Sequence, residues 1–362
     1  MSTIYIVSNN GKLQKKGETL QLNYPDGMIT TIFPYKTEQI VVLGSIEITG
    51  SAFRLLMKYN IDTIFLGTNG KFNGKLVFQE SKNIFLRQRQ FKLLDDNSFR
   101  LNFAKAVVSG KLKNQLTFMQ RINRRSNEIE AKIKQTIENM KRIIQKVDDA
   151  TDLNMVRGYE GIGAKYFFSV FRENIKQDWA IFKGRSMHPP EDNVNAVLSF
   201  LYTLLLYRVD AAIEEEGLDA YVGYFHELEY GKRTLSFDLM EEFRTPLADT
   251  LCCALFNLGM LNETDFREVV FSSDSDEYPL AADEIDTDNI ENISYQSKKG
   301  ILLTKDGIQK VITQFEKKIE TQIFYQLQAR NISYKKIIQE QVKHFRRIIN
   351  GEEREYKPLI SK

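Results

Sequence analysis

The 362-residue sequence predicts an α+β fold. A small β-rich N-terminal domain is expected over 1–82, a linker over 83–100, and a larger all-α C-terminal domain over 101–362. Three observations carry this. Up to about residue 80, apolar and polar positions alternate between turn signals. Near residue 82 the apolar spacing lengthens to three and four, the period of helices. That period then runs nearly to the end, interrupted by one acidic stretch at 272–293.

Each element has its own signal. Ile4-Tyr5-Ile6-Val7 reads as a strand ended by Ser8-Asn9-Asn10-Gly11, and Leu13, Leu20 and Leu22 alternate with polar residues as in a hairpin turning through Lys16-Gly17. Ile40-Val41-Val42-Leu43 and Ile61 to Leu66 are two further strands. Between them a helix is expected from Ser51, as N-cap, to about Tyr59, and Gly70 to Leu76 reads as a glycine-punctuated turn. From Leu112 to Val147, apolar residues recur in steps of three and four, with one step of seven between Ile122 and Ile129, predicting one long amphipathic helix. Its polar face, with Lys111, Lys113, Arg121, Lys132 and Lys141, reads mainly as a solvated surface laced with salt bridges; a few of its cations are candidate phosphate contacts. Asp192 is the expected N-cap of the next helix and Gly217 its C-terminal stop. The apolar run Val194 to Tyr207 contains Asn195, Ser199 and Thr203, too short and too polar to span a bilayer, and predicts a buried core helix. Residues 272–293 hold eight acids and no Lys or Arg, which reads as a mobile acidic loop, and they lack the calcium-loop pattern. Ile301 to Lys318 and Tyr334 to Ile349 resume helical spacing.

A net charge of +2 and an apolar fraction of 42% fit a globular chain that binds nucleic acid only where its charge is segregated. Cys252 and Cys253 are adjacent, so neither a bridge nor a zinc site is expected, and they read as small core residues. A cytoplasmic, reducing location without membrane attachment is expected, since no basic segment followed by an apolar run opens the sequence.

Three segments place ionisable residues among glycine and aromatic neighbours: Arg157-Gly158-Tyr159-Glu160-Gly161, Gly223-Tyr224-Phe225-His226, and Asp238-Leu239-Met240-Glu241-Glu242-Phe243-Arg244. On a helix, Asp238 and Glu241 share one face, about 5–6 Å apart at Cβ. Carboxylates that close need a cation or a shared proton between them. Carboxylates with one imidazole suit manganese or magnesium. Taken alone, the same residues also read as an exposed first helical turn, a surface Glu and a hydrogen-bonded core His.

In the order and spacing of these segments the chain resembles the CRISPR-associated adaptation integrases, metal-dependent endonucleases of spacer acquisition. The resemblance also includes Leu86-Arg87-Gln88-Arg89-Gln90, Ala104 to Gln115, Pro189 to Phe200, Gly217-Leu218-Asp219 and Gly300 to Thr304. It implies that the helical domain is catalytic and that the β-rich domain serves dimerisation and partner contact. It implies Glu160, His226 and Glu241 as catalytic residues and ligands of Mn2+ or Mg2+, with Asp238 as ligand or as support for one. Arg157, Lys165, Arg185, Asn195 and Arg244 become candidates for DNA contact or support of the site; Asn195 reads equally as a core hydrogen-bonder, and Arg244 as a structural partner of Glu241. Glu242 is expected to face solvent. The implied reaction is transesterification, a DNA 3′-hydroxyl attacking a repeat phosphodiester so that a short protospacer duplex enters the repeat array. The implied assembly is a homodimer with a small ferredoxin-like partner. A non-catalytic DNA-binding scaffold and a stand-alone nuclease for branched DNA are the alternatives.

Overall fold

A computed structural model gives the fold and describes residues 2–67, 70–76, 83–123, 130–186, 189–271 and 298–361. The acidic stretch 272–293 and residues 124–129 of the long amphipathic pattern lie outside the described residues. Strands β1 (Ser2–Val7), β2 (Lys12–Lys16), β3 (Thr19–Asn23), β4 (Ile29–Ile32), β5 (Thr37–Leu43) and β6 (Glu47–Ile48) precede helix α1 (Gly50–Lys58); β7 (Asp62–Leu66) and β8 (Phe72–Leu76) follow it. They form two four-stranded sheets, ordered β1-β5-β7-β8 and β4-β3-β2-β6. The hairpin through Lys16-Gly17 is present, with Gly17 at φ +60°, a conformation that suits glycine.

Two N-terminal expectations are corrected. The cap of α1 is Thr49, whose hydroxyl accepts from the Ala52 N–H at 3.3 Å, so Ser51 lies inside the first turn. Residues 72–76 are a strand paired antiparallel to β7; the turn lies before it, where Gly70 at φ +85° donates its N–H to the Gly67 carbonyl at 2.9 Å.

The strand β5 shows how the parts join. Ile40 and Val42 point into an apolar cluster with Leu13, Leu20, Leu55 and Leu56; Val41 and Leu43 point the other way, into the main helical core, as do Ile64 and Leu66. A strand buried on both faces reads as a continuous apolar run, which is what Ile40-Val41-Val42-Leu43 is.

The stretch read as a linker carries α2 (Ile84–Lys92) and the start of α3 (Asn97–Asn123). α4 (Glu130–Asp148) packs beside α3, so the pattern expected to be one long helix is two packed helices. The step of seven between Ile122 and Ile129 is about two helical turns, so the apolar stripe stays in phase across it. α5 (Leu153–Glu173) packs on both. α6 (Asn193–Glu215) begins at Asp192, whose side chain accepts from the Asn195 N–H at 2.7 Å, and Gly217 at φ +75° follows its end. α6 contains a stretch long and apolar enough to cross a membrane, but that stretch is mostly buried inside the fold. Each buried Leu, Val or Phe there contributes roughly 1.5–3 kcal/mol. α7 (Thr234–Phe243) passes through a π-helical turn (Arg244–Asp249) into α8 (Thr250–Asn257).

The C-terminal part is not all helical. β9 (Phe266–Phe271) pairs antiparallel with β10 (Lys298–Leu303), α9 (Lys305–Ile319) follows, β11 (Gln322–Tyr325) pairs with β12 (Arg330–Ser333), and α10 (Tyr334–Ile349) comes last. Ile301 to Leu303, expected in a helix, are strand because the Thr304 hydroxyl caps α9 at the Gly307 N–H, fixing the helix start beyond them.

Candidate active site

All ten residues of α7 are buried, so Asp238 and Glu241 are not on an exposed first turn. The Asp238 carboxylate gathers the loop before α7. Its Oδ2 accepts from the backbone N–H of Tyr224 at 2.6 Å and of Phe225 at 3.1 Å; its Oδ1 accepts from the His226 N–H at 3.0 Å and pairs with His226 Nδ1 at 2.6 Å. Four partners occupy its two oxygens, and the pair with Nδ1 orients the histidine. With Nδ1–H given to Asp238, the ring's lone pair is on Nε2, 3.8 Å from Glu241 Oε1. Gly223 makes this approach possible, since a Cβ there would lie 2.5 Å from the Thr234 carbonyl carbon and 2.7 Å from Asp238 Oδ2.

Glu160 arrives from α5. That helix crosses α3 closely at Gly163, where a Cβ would stand 2.3 Å from Leu112 Cδ2. The crossing places Glu160 Oε1 2.5 Å from Lys111 Nζ, and the same ammonium is 2.8 Å from Glu241 Oε2. Arg244 Nε lies 3.2 Å from Glu241 Oε1. Burial alone would lower the Lys111 pKa; Glu160 and Glu241 outweigh it and hold it above the ordinary lysine value. Sequence reading put Lys111 on a solvated helix face, but it is buried. Its neighbours Val107, Val108 and Leu112 were the available signal, since a lysine inside an apolar stretch needs a partner.

A cavity of about 470 Å³ opens at this point, lined by Lys111, Glu160, Lys165, Arg172, Arg185, Glu241 and Arg244 among others. The π-helical turn shapes its floor. A wider turn carries residues five apart round to one side, so Arg244 and Asp249 both line the cavity. Asp249 Oδ1 accepts from the Tyr202 hydroxyl at 2.5 Å. The Tyr202 ring holds two guanidiniums, Arg244 at 4.7 Å and Arg185 at 5.4 Å from its centroid. Tyr202, Asp249, Arg172 and Gln115 are lining residues that the sequence reading missed.

The other expected residues divide. Arg185 and Lys165 line the cavity. Arg157 does not. Its guanidinium donates to the Phe225 carbonyl at 3.0 and 3.3 Å and pairs with Glu227 at 2.6 Å, bracing the loop that carries His226. Asn195 is fully buried, donating to Asp192 and to the Gly184 carbonyl and accepting from Arg185 and the Ser186 N–H. It shapes the turn that presents Arg185. Glu242, expected to face solvent, is buried on the opposite side from Glu241. It accepts from Gln341 Nε2, the Tyr356 hydroxyl and the Leu359 N–H, and burial pushes its carboxyl up to about 7 against those donors. Cys252 and Cys253 are buried and unbridged, as the sequence implied.

Among the described residues, no three His, Cys, Asp or Glu side chains stand as they are in metal-holding geometry. The Lys111 ammonium lies between Glu160 and Glu241 instead. The donor set nevertheless suits a hard divalent ion, because two carboxylates already share one cation beside an oriented imidazole.

The model of the family described as CRISPR associated protein Cas1 matches residues 4–271. The chain belongs to this Cas1 family. Among its relatives is the CRISPR-associated endonuclease Cas1 3 of Thermus thermophilus, 29% identical over 361 residues, which cover 99% of this chain and 97% of that protein. In fold it is similar to a casposase bound to integration product, with a TM-score of 0.81 at 20% identity, covering all of this chain and 95% of that one. It is also similar to a chain of a Cas6-RT-Cas1–Cas2 complex, with a TM-score of 0.80 at 18% identity, covering all of this chain and 36% of that one. The Cas1 fold accounts for the mixed architecture, strands first and helices after.

Proposed function

We propose that this chain is a divalent-metal-dependent DNA endonuclease and integrase of CRISPR adaptation, which inserts short duplex DNA into a repeat array by transesterification. The observation that carries this reading is that Glu160 and Glu241 line one basic cavity on either side of Lys111, with His226 Nε2 3.8 Å behind Glu241. Glu160, Glu241 and Nε2 of His226 would hold Mn2+ or Mg2+. Such an ion, when bound, lowers the pKa of an attacking hydroxyl and polarises a phosphoryl group.

The side chains account for the rest. Asp238 fixes the tautomer and direction of His226. Arg185, Arg244 and Lys165 offer cations to a phosphodiester in the cavity and favour the extra negative charge that develops as a DNA 3′-hydroxyl attacks it. Tyr202 and Glu241 keep the Arg244 guanidinium in place beforehand. No Ser, Tyr or Cys nucleophile is needed. Joining two ends of a duplex calls for two such sites, which supports a homodimer; the reading places it in the cytoplasm. The fold neighbour in a complex with Cas2 supports a partner protein of that kind; the reading takes it as small and ferredoxin-like, docking on the N-terminal sheets.

The test compares wild type with Glu160→Ala, in cleavage of branched DNA with manganese and in joining of duplex DNA to repeat DNA with the partner present. Both activities should fall by about a hundredfold or more on loss of a metal carboxylate. Unchanged activity in the variant removes Glu160 from the mechanism. Wild-type cleavage without joining identifies a stand-alone nuclease, and no metal-dependent activity at all identifies a DNA-binding scaffold.

A further inference from the structure

The Lys111 ammonium occupies the point where two carboxylates meet, 2.5 Å from Glu160 and 2.8 Å from Glu241. The residue is 8% exposed. Its stem is anchored on α3, which packs against both α5 and α7, so Glu160 and Glu241 approach it from separate helices. Facing carboxylates out of water repel one another unless a cation separates them. Arg244 pairs with Glu241, and the Lys111 ammonium lies within ion-pair distance of both carboxylates, so it is a cation the two share. A divalent ion on the same oxygens would place its charge against an ammonium at contact distance, where like charges repel strongly in a poorly solvated site. The two cations exclude each other, and the cavity that Lys111 lines gives its side chain room to turn away.

We propose that Lys111 is a tethered counter-ion that holds Glu160 and Glu241 face to face in the metal-free protein and yields its place to the incoming divalent ion. This inference rests on the metal-site reading above. Metal binding is then an exchange of cations. The apparent metal affinity is reduced by the fraction of molecules in which Lys111 still occupies the site, and the carboxylates are already gathered before the ion arrives. Lys111 is a positioning residue in this account.

Two measurements test it. Mn2+ bound at equilibrium is counted by electron paramagnetic resonance for wild type, Lys111→Met and Glu160→Gln. Lysine labelling by acetic anhydride is followed by mass spectrometry in wild type, with and without Mn2+. The expected results are Mn2+ binding by wild type, its loss in Glu160→Gln, and binding about tenfold tighter in Lys111→Met. Labelling of Lys111 should rise severalfold when Mn2+ is added, while exposed Lys141 stays constant. Equal or weaker Mn2+ binding by Lys111→Met, with Lys111 labelling unmoved by metal, overturns the counter-ion role and leaves the metal site standing. Absence of Mn2+ binding in wild type and Lys111→Met alike overturns both. Should Lys111→Met fail to fold by circular dichroism, the wild-type labelling decides alone.

Discussion

Asp238 is the residue on which the geometry turns. Three backbone N–H groups and one imidazole nitrogen meet its two oxygens, so a single carboxylate fixes both the loop 224–226 and the direction of His226. Asp238→Asn keeps the shape but replaces one acceptor oxygen with an amide that cannot accept from those N–H groups. It also removes the charge that keeps the proton on Nδ1. We expect metal affinity and cleavage to fall by about 10–100-fold, as for loss of a group orienting a metal-binding histidine. Stability should fall by about 1–3 kcal/mol for the stranded donors. Mn2+ titration beside a thermal melt checks this; unaltered Mn2+ affinity would show that His226 is held by other contacts. The residue types of this site were legible in sequence, since the glycine and aromatic setting of Glu160 and His226 and the spacing of Asp238 and Glu241 all drew attention. Which of the two acids faces the cavity was not legible, because residues three apart share a helix face and only the loop folding back over α7 separates their tasks. Glu242 shows the same limit, since on a helix buried all round no position faces water.

At the scale of elements, two glycines that look alike in sequence do different work. Gly223 lies against the backbone at the start of α7, so Gly223→Ala forces the 224–226 loop away from Asp238. It should cost about 1–3 kcal/mol by overpacking and take metal-dependent cleavage with it. Gly158, on the exposed side of α5 two residues before Glu160, meets nothing within 4 Å of an added Cβ. Gly158→Ala should therefore stabilise the helix by about 0.5–1 kcal/mol and leave cleavage intact. Denaturant melts of the two variants check the contrast, and a stable, active Gly223→Ala would deny that the close approach matters. The same contrast marks what the chain disclosed. Long periodic helices such as α6 and α10 were readable from their apolar positions and caps. The helix pair α3 and α4 was not separated, because an apolar stripe keeps its phase whether a chain runs straight or turns back. β8 was misread because its Gly74 suggested a turn, while its pairing to β7 is a contact with sequence upstream. The π-helical turn left no trace in composition, although it sets Arg244 and Asp249 beside the same cavity.

Across the whole molecule, α7 is held from two sides, and its rigidity is a property of distant segments. On one side, buried Asp210 of α6 accepts from Arg233 at 2.7 Å and Ser236 at 2.8 Å and faces Lys75 of β8 at 3.8 Å, linking the N-terminal sheet to the start of α7. On the other, residues 356–361 pass beneath the helix. Tyr356 and Leu359 donate to Glu242; Asn114 of α3 donates to the Glu242 and Leu359 carbonyls at 2.8 and 2.9 Å; Pro358 packs where a Cβ on Gly110 would stand 2.6 Å away. This strap is pinned by His344 of α10, whose Nε2 accepts from the Lys357 N–H at 3.0 Å while Nδ1 faces Glu353. Burial depresses the His344 pKa below its ordinary value of 6.5; Glu353 opposes that, and Arg347 and Lys357 reinforce it. A histidine depressed in the folded state takes up its proton first in the unfolded chain. Its contribution to stability is thus complete above about pH 6.5 and is lost as the pH falls through the folded pKa. Protonation of Nε2 also removes the acceptor for Lys357, so acid loosens the strap where it is pinned. From pH 7.5 to 5.5 His344 should subtract stability from wild type with a slope of up to about 1.4 kcal/mol per pH unit, while Glu242, whose carboxyl burial pushes up to about 7, takes up a proton in the folded chain and works in the opposite direction. His344→Gln, which cannot take the proton, should keep the Glu242 contribution, gain stability relative to wild type as the pH falls, and melt lower than wild type at pH 7.5. Melting curves of both proteins across that range check the sign. Parallel profiles would mean that the strap is held by Glu242 and Asn114 alone, and that the rear support of the helix carrying Glu241 is insensitive to acid at His344.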